Sequence, residues 1–374
     1  MFRICDFADK IRFITILIAA ILLVVGSALP LAHGYSQASK VNGPESQSER
    51  ASSHPSKTGY HITNKYTIGG DAGWDYIVVD PEARRVYITH YQKIEVLDID
   101  TGKLVGQITG MNGARGIALV KPISKAFATN GKTDTVSVID LKTLKHLAEL
   151  KAGKKPDAII YDPGTDRVFV NNGDSDDMTV IDATAGKVVG TIPLGHGPEF
   201  LAADGKGTVW ANLYDDSAFV TVDVKTLKVM KTTPIAGCES PSSMAFDAAN
   251  RRLFVGCKNH VLAVVDPDSG KVFQTLPIGE HVDATIYDVA NHLIFASTGD
   301  GVLTIIRQDS PDKYSLVENI TTMRGAKTLG FDPKTGKLFS ATVENVPPNA
   351  TSQPAPLGKV AYEPGPFVVL EIGK

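Results

Sequence analysis

An aspartate followed five residues later by a lysine, with turn-forming residues between them, recurs at Asp98–Lys103, Asp140–Lys145, Asp182–Lys187, Asp223–Lys228 and Asp266–Lys271. The lysines stand 42, 42, 41 and 43 residues apart. So regular a period marks one structural unit that cannot bury its apolar face alone and therefore stacks on copies of itself. Within a period the apolar runs are short, β-branched or aromatic, and broken by turn residues, which is the strand pattern and not the helix pattern. AIIY from Ala158, RVFV from Arg167, MTVID from Met178 and VVGTI from Val188 are separated by Asp162-Pro163-Gly164, Asp174–Asp177 and Ala183–Gly186. Four such strands, here labelled a to d, are the content of one propeller blade.

The a-to-b turn repeats independently, as Asp80-Pro81, Asp162-Pro163 and Asp332-Pro333, with Asp204, Asp247 and Asp288 in the same place without proline. Proline presets φ and aspartate bonds its own backbone, so both suit a tight turn. Unit starts fall near Asp75, Gly116, Asp157, Glu199, Ser242, Asp283 and Lys327, which predicts an all-β, seven-bladed β-propeller over residues 59–374. The last unit is one strand short, while Tyr60–Ile68 is a strand-like run before the first strand a. Pairing that run with Phe367–Glu371 would complete the last blade and remove two open sheet edges.

The runs Val86-Tyr87-Ile88-Thr89, Phe127-Ala128-Thr129-Asn130 and Phe169-Val170-Asn171-Asn172 look like the tyrosine-valine-threonine-asparagine motif of YVTN repeats. With the aspartate-to-lysine turns they make the chain resemble the YncE-like secreted propellers, a WD40-like repeat fold, over roughly residues 60–374. The resemblance implies a fold and an exported protein. It implies no particular activity, because the fold hosts many.

Arg3, Lys10 and Arg12 precede an apolar stretch from Phe13 to Leu31, followed by the small residues of Ala32-His33-Gly34, so residues 1–34 read as a signal peptide. An uncleaved membrane anchor is the competing reading, disfavoured by Gly26, Ser27 and Pro30 within the stretch. Residues 35–58 are polar and serine-rich, a disordered linker. A periplasmic or secreted protein with no stable membrane span after cleavage follows as the expectation, and a monomer. The formal net charge of −3 argues against nucleic acid as the partner, because phosphate binding rests on clustered Lys and Arg. Cys5 leaves with the leader. Cys238 and Cys257 remain, and in an oxidising compartment they are expected to form a disulfide. No CxxC pair, CxxCH, G-x-S-x-G, HExxH, phosphate loop or dinucleotide fingerprint is present.

In a propeller the innermost strands line a central channel. The strand-a starts Asp75, Asp157, Glu199, Ser242, Asp283 and Lys327, with Arg115 one place before Gly116, would therefore ring its mouth. Four carboxylates so placed repel unless a cation, Arg115, Lys327 or water compensates them, which makes the ring a candidate site for a polar ligand or a divalent cation. The plainer account is that these side chains cap strand ends. A second ring, Thr89, Asn130, Asn171, Asn212, Gly256, Ser297 and Ala341, ends the b strands, with turn capping as its plainer account. His90, His196 and His281 stand beside Tyr91, Glu199 and Asp283, and a histidine paired with a carboxylate is an acid-base candidate. The connection Val343–Pro366 is about twenty residues longer than its counterparts and would project from the mouth as a lid or partner arm. Taken together these features predict a non-catalytic platform that binds a small polar ligand or an envelope or protein partner at the mouth. The alternatives are a metal-dependent hydrolase of the propeller lactonase type and, more remotely, a periplasmic redox partner.

Overall fold

The structure, a computed structural model, describes residues 57–70, 73–344 and 365–374. The expected leader, nearly all of the linker and the interior of the 343–366 connection lie outside them. Among the described residues no helix is long and apolar enough to cross a membrane.

Strand β1 (His61–Thr67) comes first. A six-stranded sheet follows, with β2 (Ile77–Asp80), β3 (Arg85–Asp98), β4 (Leu104–Val120), β5 (Lys125–Asn130), β6 (Thr135–Asp140) and β7 (His146–Lys151) in sequence order. Next come β8 (Pro156–Asp162), β9 (Arg167–Asn172), β10 (Asp177–Asp182) and β11 (Lys187–Pro193), then β12 (Pro198–Ala203), β13 (Thr208–Leu213), β14 (Ala218–Asp223) and β15 (Lys228–Pro234). Two more sheets hold β16 (Pro241–Asp247), β17 (Arg252–Cys257), β18 (Val261–Val265) and β19 (Val272–Pro277), and β20 (Val282–Asp288), β21 (Leu293–Thr298), β22 (Val302–Ser310) and β23 (Lys313–Thr321). The last contains β24 (Gly330–Asp332), β25 (Lys337–Val343) and β26 (Phe367–Gly373), with β1 as its fourth strand.

The described strands thus form six blades, not the expected seven. The first two sequence units share one hydrogen-bonded ladder. β3 carries strands b and c of the first unit in one 14-residue strand, and β4 carries its strand d and the next unit's strand a in one of 17 residues. Ala114 pairs with Tyr91 on one side and Asn130 on the other, joining the two ladders. Tyr91-Gln92-Lys93 continues as strand where Asn172-Gly173-Asp174 of the third unit includes a turn. The register shifts at Tyr91/Lys93 inside the run-on strand; the shift at Ala114/Ile117 is the ordinary one, matched at Pro156/Ile159 and Pro198/Leu201.

Inner strands stand side by side around the axis, β24 by β2, then β4, β8, β12, β16 and β20. The core lies between neighbouring sheets, where alternate residues bury Phe127, Phe169, Trp210, Phe254, Phe295 and Phe339. Two of the aspartate-to-lysine turns put leucine where the others have glycine: Leu144 and Leu227 at φ +59° and +55°. Leucine in that region costs about 1–2 kcal/mol. Each is compensated by packing beside an outer-strand glycine, Gly106 or Gly190, where a Cβ would come within 2.4 or 2.7 Å of the leucine Cδ1.

Ring closure is antiparallel, from His61 opposite Gly373 to Thr67 opposite Val368. Glu371, buried in β26, accepts from Thr63 Oγ1 (2.9 Å), Asn64 Nδ2 (3.2 Å) and Tyr66 OH (2.7 Å) of β1, and pairs with Lys337 Nζ at 3.0 Å. Cys238 and Cys257 are disulfide-bonded, with Cα atoms 5.4 Å apart. Closing a loop of 19 residues' separation stabilises by about 3 kcal/mol in the chain-entropy picture. Reduction with dithiothreitol is expected to lower the unfolding midpoint by several degrees, and an unchanged midpoint would show the link contributes nothing.

Candidate binding site at the channel mouth

Seven side chains occupy the strand-a position at the mouth: Asp75, Arg115, Asp157, Glu199, Ser242, Asp283 and Lys327. Pairing Ile77 with Ile88, Ile117 with Ala128 and Ile159 with Val170 puts Arg115, and not Gly116, in register with Asp75 and Asp157. Sequence spacing slipped here by one residue because no turn separates strands d and a in β4. Gly116 is close-packed instead, where a Cβ would sit 2.6 Å from Ile159 Cγ2 and 2.8 Å from Asp157 O.

Cations separate some of the carboxylates, Arg115 between Asp75 and Asp157 and Lys327 between Asp283 and Asp75, while Asp157 and Glu199 stand next to each other. Arg115 Nη1 donates to Asp75 Oδ2 at 2.9 Å and lies 3.9 Å from Asp157 Oδ2. Lys327 Nζ pairs with Asp283 Oδ2 at 2.6 Å. Lys258, which the sequence reading missed because it follows the b strand, donates to Val282 O at 2.7 Å. Glu199 makes no side-chain hydrogen bond or ion pair with any described residue. Burial raises the Asp75 carboxyl, against the pull of Lys327. Burial, then Asp75, pushes Asp157 up to about 7. Burial, then Asp157 and Asp283, pushes Glu199 up to about 8. Burial lowers the Lys258 ammonium, whereas for Lys327 burial is outweighed by Asp283 and Asp75, which raise it.

The second ring does structural work. Thr129 Oγ1 donates to Asp157 O (2.8 Å), Asn212 Nδ2 to Ser243 O (3.1 Å), Asn171 Nδ2 to Glu199 O and Ser297 Oγ to Lys327 O. Each stitches one unit's strand b to the next unit's strand a. Thr129, and not Asn130, holds this register; Asn130 Nδ2 caps its own loop through Ser137 Oγ at 2.9 Å. At Gly256 the stitch is missing, and Ser242 Oγ and Lys258 Nζ both donate to Val282 O in its place.

The histidines are not drawn into the ring. His196, exposed, pairs through Nδ1 with Asp216 Oδ1 at 3.0 Å, and that hydrogen bond raises its imidazole pKa. His281 is exposed at φ +61° before β20. His90 is buried, stacked on Phe367 with ring centroids 4.2 Å apart, its Nδ1 3.3 Å from Glu95 Oε1. Of the long connection only the base is described, closed by Gly365 N donating to Glu344 O at 2.9 Å.

One place further along strand a than the charged ring, Tyr76 and Phe200 reach across from non-adjacent inner strands and stack, centroids 4.9 Å apart at 25°. Burial and the surrounding carboxylates, Asp157 first, raise the Tyr76 phenol well above its ordinary range. Around this pair lies a cavity of about 300 Å³, lined by strand-a residues. Among the described residues no three His, Cys, Asp or Glu side chains gather as a metal-holding group. The mouth carboxylates are instead spaced around the ring, with Arg115 and Lys327 set between them.

No family model matches the chain, and no curated protein matches it in sequence. Solved structures do. It is similar to Kuenenia stuttgartiensis Hydrazine Synthase, at 17% identity over 73% of this chain and 94% of that one, TM-score 0.65. It is similar to U3-55K, at 10% identity over 85% and 99%, TM-score 0.67, and to the RRP9 WD40 repeats, at 10% over 85% and 98%, TM-score 0.68. At such identities the likeness shows the fold, a WD40-like β-propeller.

Proposed function

We propose that this chain is an exported, non-catalytic binding platform of the YVTN-repeat, YncE-like kind, receiving a ligand or protein partner at the channel mouth. One observation carries the reading: the mouth's charged residues are held in place by main-chain stitches, with Asp75 and Asp283 paired to Arg115 and Lys327 and a cavity behind them. Such a rim can recognise charge and shape. Residues set up for turnover would need a nucleophile beside a base or converging metal donors. The carboxylates do not converge, so the hydrolase reading draws no support from the geometry. Propellers of the WD40 type among its structural likenesses agree with an interaction role. The basic, apolar and small-residue succession of residues 1–34 supports export.

Photo-crosslinking tests this in cells. A benzoylphenylalanine at exposed Lys155 or Asp174, beside the mouth, is expected to capture a partner, and one at Leu147 on an outer strand is not. Capture from Leu147 alone would move the interface to the outer strands and sink the reading. Mass measurement of the captured chain also reports whether residues 1–34 have been removed.

A further inference from the structure

We infer that the cavity behind the mouth takes a small organic cation, an ammonium group on an apolar or aromatic body. The inference rests on the mouth being the binding face and names the class of ligand it admits. Most of the cavity wall is apolar, with Ile77, Ile159, Leu201, Met244 and Leu329 around the Tyr76–Phe200 pair. Its polar side chains are few: Asp75, the Tyr76 phenol, Asp283, Thr285 and Thr328. No lysine, arginine or histidine is among the lining residues. Arg115 and Lys327 reach Asp75 and Asp283 without themselves lining the space. Seen from inside, the wall therefore offers carboxylate oxygens, which only accept, and two aromatic rings whose faces attract cations.

Thr328 is the second, independent observation. It is 3% exposed and its hydroxyl has no hydrogen-bond partner among the described residues. Thr285, by contrast, is satisfied by Ser243 Oγ at 2.7 Å. Of the unpartnered buried side-chain polar atoms in the described structure, Thr328 Oγ1 alone belongs to a residue lining the cavity. Native proteins carry few such groups, and a ligand donor is what this one lacks. About 300 Å³ is the small end of ligand sites, which suits a one-ring amine rather than a peptide.

Isothermal titration calorimetry on the full-length mature protein with phenethylamine, 2-phenylethanol, phenylacetate and calcium chloride separates the outcomes. The amine is expected to bind at least about tenfold more tightly than the alcohol, as a charge-assisted hydrogen bond would give, and phenylacetate not at all. Thr328→Val should weaken the amine about tenfold while leaving the midpoint of the ligand-free protein unchanged or higher, since it removes an unsatisfied hydroxyl. A merely structural threonine would not give that combination. Ala158→Leu, filling the cavity, should abolish binding. Equal binding of alcohol and amine, preference for phenylacetate, binding of calcium alone, no binding by any probe, or an unchanged amine affinity in Thr328→Val would each overturn the inference. Partner capture at Lys155 that persists in Thr328→Val alongside such a result leaves the platform reading standing, whereas loss of mouth capture in the wild type removes that reading itself.

Discussion

Removal of residues 57–67 is expected to leave a chain with no cooperative unfolding transition, recovered mostly as aggregate. Three losses coincide. The β26 edge, a run of buried apolar residues from Phe367 to Leu370, would lose its only partner on that side and become an exposed template for pairing. Tyr60 would leave its packing on Phe295, centroids 5.2 Å apart, an aromatic burial of roughly 3–5 kcal/mol on truncation. Glu371, its side chain 2% exposed, would keep Lys337 but lose all three β1 donors, each a hydrogen bond to a charged group that contributes about 1.5–3 kcal/mol. The sum is comparable to the whole stability of a domain. Glu371→Gln with β1 intact is the graded control, expected to cost about 2–4 kcal/mol and to remain folded. Native circular dichroism and an unchanged midpoint in the truncated chain would show that closure is dispensable.

Replacing Lys327 by Met is expected to destabilise the protein by roughly 3–5 kcal/mol at pH 8, and by much less at pH 5. Lys327 is the cation closest to Asp283 and a principal restraint on Asp75. Without it Asp75, already raised by burial, loses the cation that restrains it, so keeping it charged costs more at high pH, and protonation at lower pH relieves that cost. The wild type should show the same slope in weaker form. Asp75, Asp157 and Glu199 all have folded pKa values above their unfolded ones, the last two near 7 and 8. Between about pH 4.5 and 8 the native state therefore holds more protons than the unfolded chain, so stability is greatest below that window and falls as pH rises through it. The acid limb has the opposite sign. Burial would raise Glu95, but hydrogen bonds from His90, Lys93 and Gln107 outweigh it and hold the carboxyl near 2, and Glu371 is likewise held low, so their contribution is lost as pH drops below the ordinary carboxylate range. A stability maximum at about pH 4.5 results, where the two limbs meet. Calorimetric midpoints from pH 4 to 9 should trace it, and Glu199→Gln should flatten the alkaline slope. A midpoint that rises steadily from pH 5 to 8 would contradict this account of the mouth, whose charged groups also include Arg115, Lys258 and Asp283.

What the sequence disclosed and what it hid divide along a physical line. Strands and turns were legible because they depend on neighbours a few residues apart: the short β-branched and aromatic run buried from Val168 to Asn172, or Asp182 accepting from Ala185 N at 2.7 Å, is written locally. The blade count failed where a turn was missing, since Tyr91–Lys93 gave no sign that β3 and β4 would run on. From the same place came the one-residue slips that put Gly116 and Asn130 in rings belonging to Arg115 and Thr129. Asn171 and Asn212 read as caps of their own turns, and only the next unit's carbonyls show what they hold. The aromatic pair had a usable signal, a ring of Tyr or Phe directly after a mouth carboxylate in Asp75-Tyr76 and Glu199-Phe200. Its meaning depended on two inner strands facing each other across the axis. Lys258 had none, because its role is to replace a stitch that Gly256 cannot make.

The fused ladder sets where this ring could be recut. Joining the old termini and opening new ones between β11 and β12, or between β15 and β16, would sever a connection and leave every sheet whole. The equivalent cut between Gly110 and Ala114 falls inside β4, a single strand bonded to β3 on one side and β5 on the other. Circular permutants opened there should fail while the others fold, so for engineering purposes the first two sequence repeats are one indivisible module.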